Sequence, residues 1–199
     1  MRTFVIVGQT ALASGAFGFD DFPGTSGRMD VLARAVRATL LVSHGVRHDT
    51  RLYLVMLGGD RAPRTVRFEG ATVRFLRPDE RSNGLNLKKI LERGQDTGPE
   101  FAPVRDGIAI AKGGIETVLP DLGRATRYVL DENAPDVRAF VPVWDEDLAF
   151  LLGDHRGLDE ASRVAFAASA SLSVGPMSLH TEDAVVLLQN TLDRAAAPR

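Results

Sequence analysis

The chain alternates short apolar runs with stretches of helical period. Residues 3–8 (TFVIVG) are continuously apolar and predict a buried strand. Residues 9–27, rich in Gly, Ala, Ser and Phe, predict an unusually long loop, a kind that is commonly functional. A helix is expected from Ser26 or Gly27 to about Ser43. Its apolar face is marked by Val31, Leu32, Ala35, Val36, Thr39 and Leu40, with Arg34 and Arg37 on other faces. Residues 51–57 (RLYLVML) predict a second strand. TVRFEGATVRFL then alternates around Glu69-Gly70, predicting a hairpin that pairs Val66 and Phe68 near Val73 and Phe75. RPDERS, residues 77–82, is a turn that opens a helix over about 85–93.

A Gly/Pro-rich stretch, residues 94–107, could mark a boundary, but neither half has enough strands to complete a sheet, so one domain over 1–199 is expected. From Gly107 the rhythm is α/β. IAIA is a strand, Gly113-Gly114 opens a short helix ending near Leu119-Pro120, and RYVLDE is the next strand. Residues 149–152 form another strand, Asp159 caps a helix to about Ala168, and residues 172–174 are the last strand. A helix from Glu182 to Arg194 follows, and AAAPR is a frayed tail. Strands alternating with helices of about ten residues predict a mostly parallel sheet covered on both faces.

Composition narrows the class. Of 199 residues, 44% are hydrophobic and 25% charged, the balance of a globular domain. No apolar run approaches the roughly 20 residues of a membrane span, and the N-terminal run reads as a strand rather than a signal peptide. The absence of Cys excludes disulfides, thiolate catalysis and Cys-ligated zinc. A cytoplasmic protein is expected. The formal net charge of −2 conceals an asymmetry: residues 1–99 carry 15 Lys and Arg against 10 Asp and Glu, whereas residues 100–199 carry 9 against 16. Most of the N-terminal cations are Arg, suited to bidentate phosphate contacts and base stacking, so a polyanion would meet the first half. A solvated Arg-rich surface gives the same count.

Two strand ends break into glycine turns, at Gly153-Asp154-His155 and at Ser173-Val174-Gly175-Pro176. Such turns let backbone groups approach a ligand, although many only reverse the chain. His44, His48 and Asp49 invite a metal-site reading, but Gly45 interrupts them, no Glu completes an HExxH pattern, and histidines near a helix end commonly meet its last carbonyls. No metal is expected.

The wording of the turns is more specific than their spacing. LLGDHRGL, followed by SLSVGPMSLHTEDAVVLLQNTLDR, resembles the C-terminal part of the SPOUT class of RNA methyltransferases, and within it the TrmY-type pseudouridine N1-methyltransferases. PGTSGRMDVLARAVRATLLVSHGVR, RFEG and RPDERS are similar to the same family, so the resemblance covers most of the chain. It implies an α/β SPOUT fold with a C-terminal deep trefoil knot, an exception to the rule against threaded chains. It implies S-adenosylmethionine (SAM) as cofactor, held by Leu130, Gly153, Asp154, Val174, Gly175, Pro176, Met177, Ser178 and Leu179 in a knotted part of about 107–199. Archaeal members often carry Cys early in the last helix, where this chain has Ala184.

The resemblance further implies methylation of N1 of pseudouridine in RNA, the tRNA T-loop at position 54 being the implied target, by a homodimer; neither DNA nor a membrane is expected as partner. The RNA-facing part is expected over about 1–99, with Arg28, Arg64, Arg67 and Arg77 on phosphates. Arg28 and Asp30 are two apart, so along a helix they would not face each other and each would be free for its own partner. Asp30 is the expected acceptor of the N1 proton, a carboxylate tuned upward by desolvation, with Asp79 and Glu80 as rivals. Asp30 also fits a plain first-turn acid at a helix N-terminus. Two other functions stay open: a non-catalytic RNA-binding or ribosome-assembly factor that keeps the SAM pocket, and a metal-dependent hydrolase using His44, His48, Asp49 or His155.

Overall fold

A computed structural model describes residues 1–140 and 146–196. In chain order its elements are β1 (Arg2–Leu12), α1 (Phe22–Thr25), α2 (Met29–Leu40), β2 (Leu41–Val42), β3 (Gly45–Val46), β4 (Thr50–Gly58), β5 (Arg64–Glu69) and α3 (Glu80–Arg93). There follow β6 (Ala102–Arg105), β7 (Ile108–Lys112), α4 (Ile115–Leu122), β8 (Thr126–Leu130), β9 (Leu148–Gly153), α5 (Glu160–Phe166), β10 (Ala170–Leu172) and α6 (Thr181–Ala196).

Among the described residues eight strands form one sheet, in the order β10-β8-β9-β1-β4-β5-β7-β6. Pairing is parallel from β10 to β4 and antiparallel from β4 to β6. β1 lies between β9 and β4, so N- and C-terminal strands share the centre of the sheet. That position explains its unbroken apolar run: Phe4 and Ile6 face one core layer, Val5 and Val7 the other, and none is exposed. α2, α3 and α6 supply apolar residues to the first layer, and α4 and α5 to the second. The mostly parallel sheet with helices on both faces is as expected.

Local expectations fail where distant pairing decides. Val66 and Phe68 do not pair with Val73 and Phe75; β5 runs between β4 and β7, with Val66 opposite Leu54 and Ile110. After Glu69 the chain turns, Val73 N–H donating to the Glu69 carbonyl, and Phe75 adopts φ 61°, which no strand permits. The expected long loop is shorter, because β1 continues to Leu12 and α1 occupies residues 22–25. α2 starts later than expected, at Met29, since Gly27 (φ 64°) and Arg28 (φ 67°) are left-handed. A Cβ on Gly27 would lie 1.9 Å from the Thr10 carbonyl oxygen, so only glycine fits. The helix ends at Leu40, where β2 and β3 form a small hairpin.

The 94–107 stretch contains β6, and α3 begins at Glu80, capped by Asp79, rather than at 85. The last strand ends at Leu172 instead of Val174. α6 runs on to Ala196, taking in part of the expected tail, and residues 197–199 lie outside the described residues. No helix among the described residues is long and apolar enough to cross a membrane.

Candidate functional site

β8, β9 and β10 are parallel neighbours, so their C-terminal ends, Leu130, Gly153 and Leu172, open on one edge of the sheet. The segments leaving them enclose a cleft of about 330 Å³, within the range of small-molecule sites. Leu130, Gly153, Asp154, Val174, Gly175, Met177, Ser178 and Leu179 line it, together with Thr181 and Ala184 from the start of α6. Of the expected cofactor residues only Pro176 is off the wall.

Each turn has its own physical basis. Gly153 is obligatory because residues 154–158 fold back over it: a Cβ there would lie 2.2 Å from the Gly157 carbonyl. Asp154 is buried and fixes that turn, its Oδ2 accepting from Gln9 N–H at 2.8 Å and Oδ1 from Arg156 N–H at 2.9 Å. Thr181 Oγ1 donates to the Gly153 carbonyl at 2.7 Å, tying α6 to the end of β9. Ser173 folds the third segment, its Oγ donating to the Gly175 carbonyl and accepting from Gly175 N–H. Gly175 differs from Gly153, since a Cβ on it would meet nothing within 4 Å.

The wall is chemically divided. Leu130, Leu152, Leu158, Val174 and Ala184 offer apolar surface, while Asp131, Glu132 and Asn133 bring acceptors after β8. Asp131 is held below the usual carboxylate range by the Asn133 backbone N–H and by Arg163, whose Nη2 lies 3.1 Å away. This polar group was missed because RYVLDE read as strand to its last residue; the strand stops at Leu130. Apolar walls, carboxylates and backbone polar groups fit the adenine, hydroxyl and ammonium groups of SAM.

Beside the cleft lies an ion-pair network that spacing alone concealed. Arg28 precedes the helix in a left-handed conformation, so the helical two-apart rule does not govern it. Its guanidinium folds onto Asp30, Nε to Oδ1 at 3.0 Å and Nη2 to Oδ2 at 3.2 Å. Arg34, expected on another face, donates to Asp30 at 2.9 Å, Glu80 at 2.7 Å and Glu182 at 2.5 Å. It thereby links α2 to α3 and to the first turn of α6. Burial pushes the Asp30 carboxyl up, but hydrogen bonds from Arg28 and Arg34 outweigh it and the net direction is down. That is opposite to the direction expected of a tuned base. Burial likewise lowers Arg34, and its three carboxylate partners more than reverse this. The rivals are also engaged: Asp79 accepts from Ser82 N–H and Glu80 pairs with Arg34.

The expected phosphate-binding arginines separate. Arg64 is buried, its guanidinium donating to the carbonyls of Gly94 and Gln95 just past α3, which removes it from any RNA surface. Arg67 pairs with Asp121 and Glu69 and stacks on Phe101 at 4.6 Å, on the sheet face opposite α2. Arg28 and Arg77 remain on the α2–α3 side; Arg77 is exposed. Among the described residues no three His, Asp or Glu side chains converge as a metal site. His155 Nδ1 lies 3.7 Å from Asp154 and belongs to the turn.

Comparison with known proteins matches residues 1–197 to a family model described as "putative SAM-dependent RNA methyltransferase". The tRNA (pseudouridine(54)-N(1))-methyltransferase of Methanosarcina acetivorans is 37% identical over 201 residues, covering 100% of this chain and 94% of that protein. The enzyme of the same name from Halobacterium salinarum is 38% identical over 198 residues, covering 98% of this chain and 97% of that one. Among solved structures, Archaeoglobus fulgidus Nep1 bound to S-adenosylhomocysteine superposes with a TM-score of 0.66 at 12% identity, covering 98% of both chains, a likeness of fold.

Proposed function

Since the chain belongs to this family of SAM-dependent RNA methyltransferases, we propose that it methylates N1 of pseudouridine in RNA, at position 54 of the tRNA T-loop. The observation that carries the reading is the cleft where β8, β9 and β10 end, in a chain 37% identical along its length to a relative named for that reaction. SAM supplies an electrophilic methyl group. The protein's share is to hold the cofactor and align the base. Leu130, Gly153, Asp154, Val174, Gly175, Met177, Ser178 and Leu179 form the cofactor site, with Asp131, Glu132 and Asn133 as polar partners.

Asp30 receives a different role from the one expected of it. A carboxylate held down by two guanidiniums is a weak base, and Asp30 serves instead as the anchor that aims Arg28 at the RNA. Arg77 joins Arg28 on that side. One domain spans 1–199, its RNA-facing part about 1–99 and its cofactor part about 107–199. The C-terminal knot is supported by the likeness of fold to Nep1 over 98% of the chain. A homodimer is supported by the exposed Met177, Leu179, Val186 and Leu187 near the cleft and on α6. A tRNA substrate supports action in the cytoplasm.

The test is transfer of labelled methyl from SAM to two T-arm stem-loops, one with pseudouridine and one with uridine at position 54, followed by nucleoside mass spectrometry. N1-methylpseudouridine from the first RNA alone is the expected result. SAM binding without methyl transfer to either RNA would leave the non-catalytic RNA-binding reading in its place.

A further inference from the structure

Among the described residues Phe75 is the most exposed of the large hydrophobic side chains, at 83%. It also has φ 61°, a left-handed backbone that a bulky residue adopts only at a cost and that Gly or Asn would occupy more easily. The ring contributes nothing evident to the core. Local backbone preference and burial both argue against Phe at this position, so the ring's own chemistry must account for it.

The surroundings indicate what that chemistry meets. Arg74, Arg77 and Arg81 lie within six residues of Phe75, and none forms an ion pair among the described residues. The nearest carboxylates in the chain are committed elsewhere, Asp79 to Ser82 N–H and Glu80 to Arg34. Arg81 is set over the Phe19 ring at 5.3 Å. The segment is braced rather than loose: Arg105 donates to the Arg74 carbonyl at 2.8 Å and Asn83 to the Arg77 carbonyl at 3.0 Å. Through the Glu80–Arg34–Glu182 pairs the start of α3 is joined to the first turn of α6, beside the cleft.

We propose that Phe75 is a stacking platform for an unpaired nucleobase of the RNA substrate, with Arg74 and Arg77 on the adjoining phosphates. An aromatic face accepts any base, and free guanidiniums on either side supply the complement to a polyanion. The inference rests on the reading of the protein as an RNA methyltransferase and names a contact of that site with its substrate.

The test uses the full chain and a T-arm stem-loop with 2-aminopurine beside position 54. Phe75→Gly removes the ring while relieving the backbone, so its melting temperature should equal or exceed that of wild type. RNA affinity should fall at least about fivefold, the loss of one stacked base, with the salt slope and SAM affinity unchanged. Phe75→Trp should restore affinity and quench the 2-aminopurine, whereas Phe75→Leu, apolar but not planar, should not. Affinity of Phe75→Gly within twofold of wild type overturns the platform and leaves the methyltransferase reading intact. Phe75-dependent binding without any methyl transfer overturns that reading and leaves the platform. A loss of sedimenting mass in Phe75→Gly without loss of RNA affinity would make the ring a protein contact and also overturn the proposal.

Discussion

The cleft at the ends of β8, β9 and β10 is shaped by backbone turns and apolar side chains beside one polar segment after β8, whereas the α2–α3 face is a set of guanidiniums and carboxylates that hold one another. In the first region a residue's worth is steric: Gly153 and Gly175 matter for what they lack. In the second it is relational, since Arg28, Asp30, Arg34, Glu80 and Glu182 have no fixed meaning apart from their partners. A turn advertises itself through glycine and a short apolar run, but an arginine looks the same in sequence whether it is aimed at solvent, a carbonyl or a carboxylate.

The largest expected effect separates two glycines within the cleft. Gly175 borders open space, so Gly175→Val should leave the thermal transition unmoved while its branched side chain enters the cleft and SAM binding is lost. A Cβ on Gly153 would lie 2.2 Å from the Gly157 carbonyl, so Gly153→Ala should lower the melting temperature itself. Calorimetric titration with SAM, run alongside thermal unfolding, checks both. Normal SAM affinity in Gly175→Val would take the third segment out of the cofactor site.

This contrast also explains what could be read ahead of the structure. The parallel sheet, the apolar face of α2, the Asp159 cap and the glycine turns depend on local pattern, and they hold to within a few residues. The failures share a cause. The Val66–Phe68 strand found its partner at Ile108–Lys112, some forty residues on, where alternation around a nearby Gly suggested residues 73–75. Spacing alone puts Arg34 on a helix face away from the apolar one, but its partners Glu80 and Glu182 are brought to it only by the packing of three helices. The left-handed Arg28 is a decision of the backbone that composition does not announce.

A second, smaller effect concerns Asp30. Its folded carboxyl titrates below the ordinary value of about 3.9, so its contribution to stability is present above the unfolded pKa and is lost as pH falls through the folded one. Asp30→Asn should cost about 1–3 kcal/mol near pH 7, the worth of hydrogen bonds to charged groups. The gap from wild type should close as pH drops below about 4. Denaturant titrations at several pH values measure it. RNA affinity should fall in Asp30→Asn as in Arg28→Ala, with no further loss in the double variant, because one residue acts through the other. Additive losses, or a gap that widens in acid, would break the anchor role.

The smallest effect is a change of slope, and it tests whether exposure decides which arginines meet RNA. Each phosphate contact that is lost should reduce the dependence of log affinity on log salt by about one unit. Arg77 is exposed and unpaired among the described residues, so Arg77→Ala should show that reduction. Arg64 caps the carbonyls of Gly94 and Gln95, and Arg67 is bound to Asp121 and Glu69 on the other face of the sheet. Arg64→Ala should lower stability, because the carbonyls of Gly94 and Gln95 would lose their donor, yet keep the wild-type slope. Arg67→Ala should also keep it. Fluorescence anisotropy of a T-arm stem-loop across a salt series reads all three. If Arg67→Ala flattened the slope as much as Arg77→Ala, RNA would have to reach both faces of the sheet, and a division between an RNA-facing α2–α3 side and a structural α4–α5 side would fail.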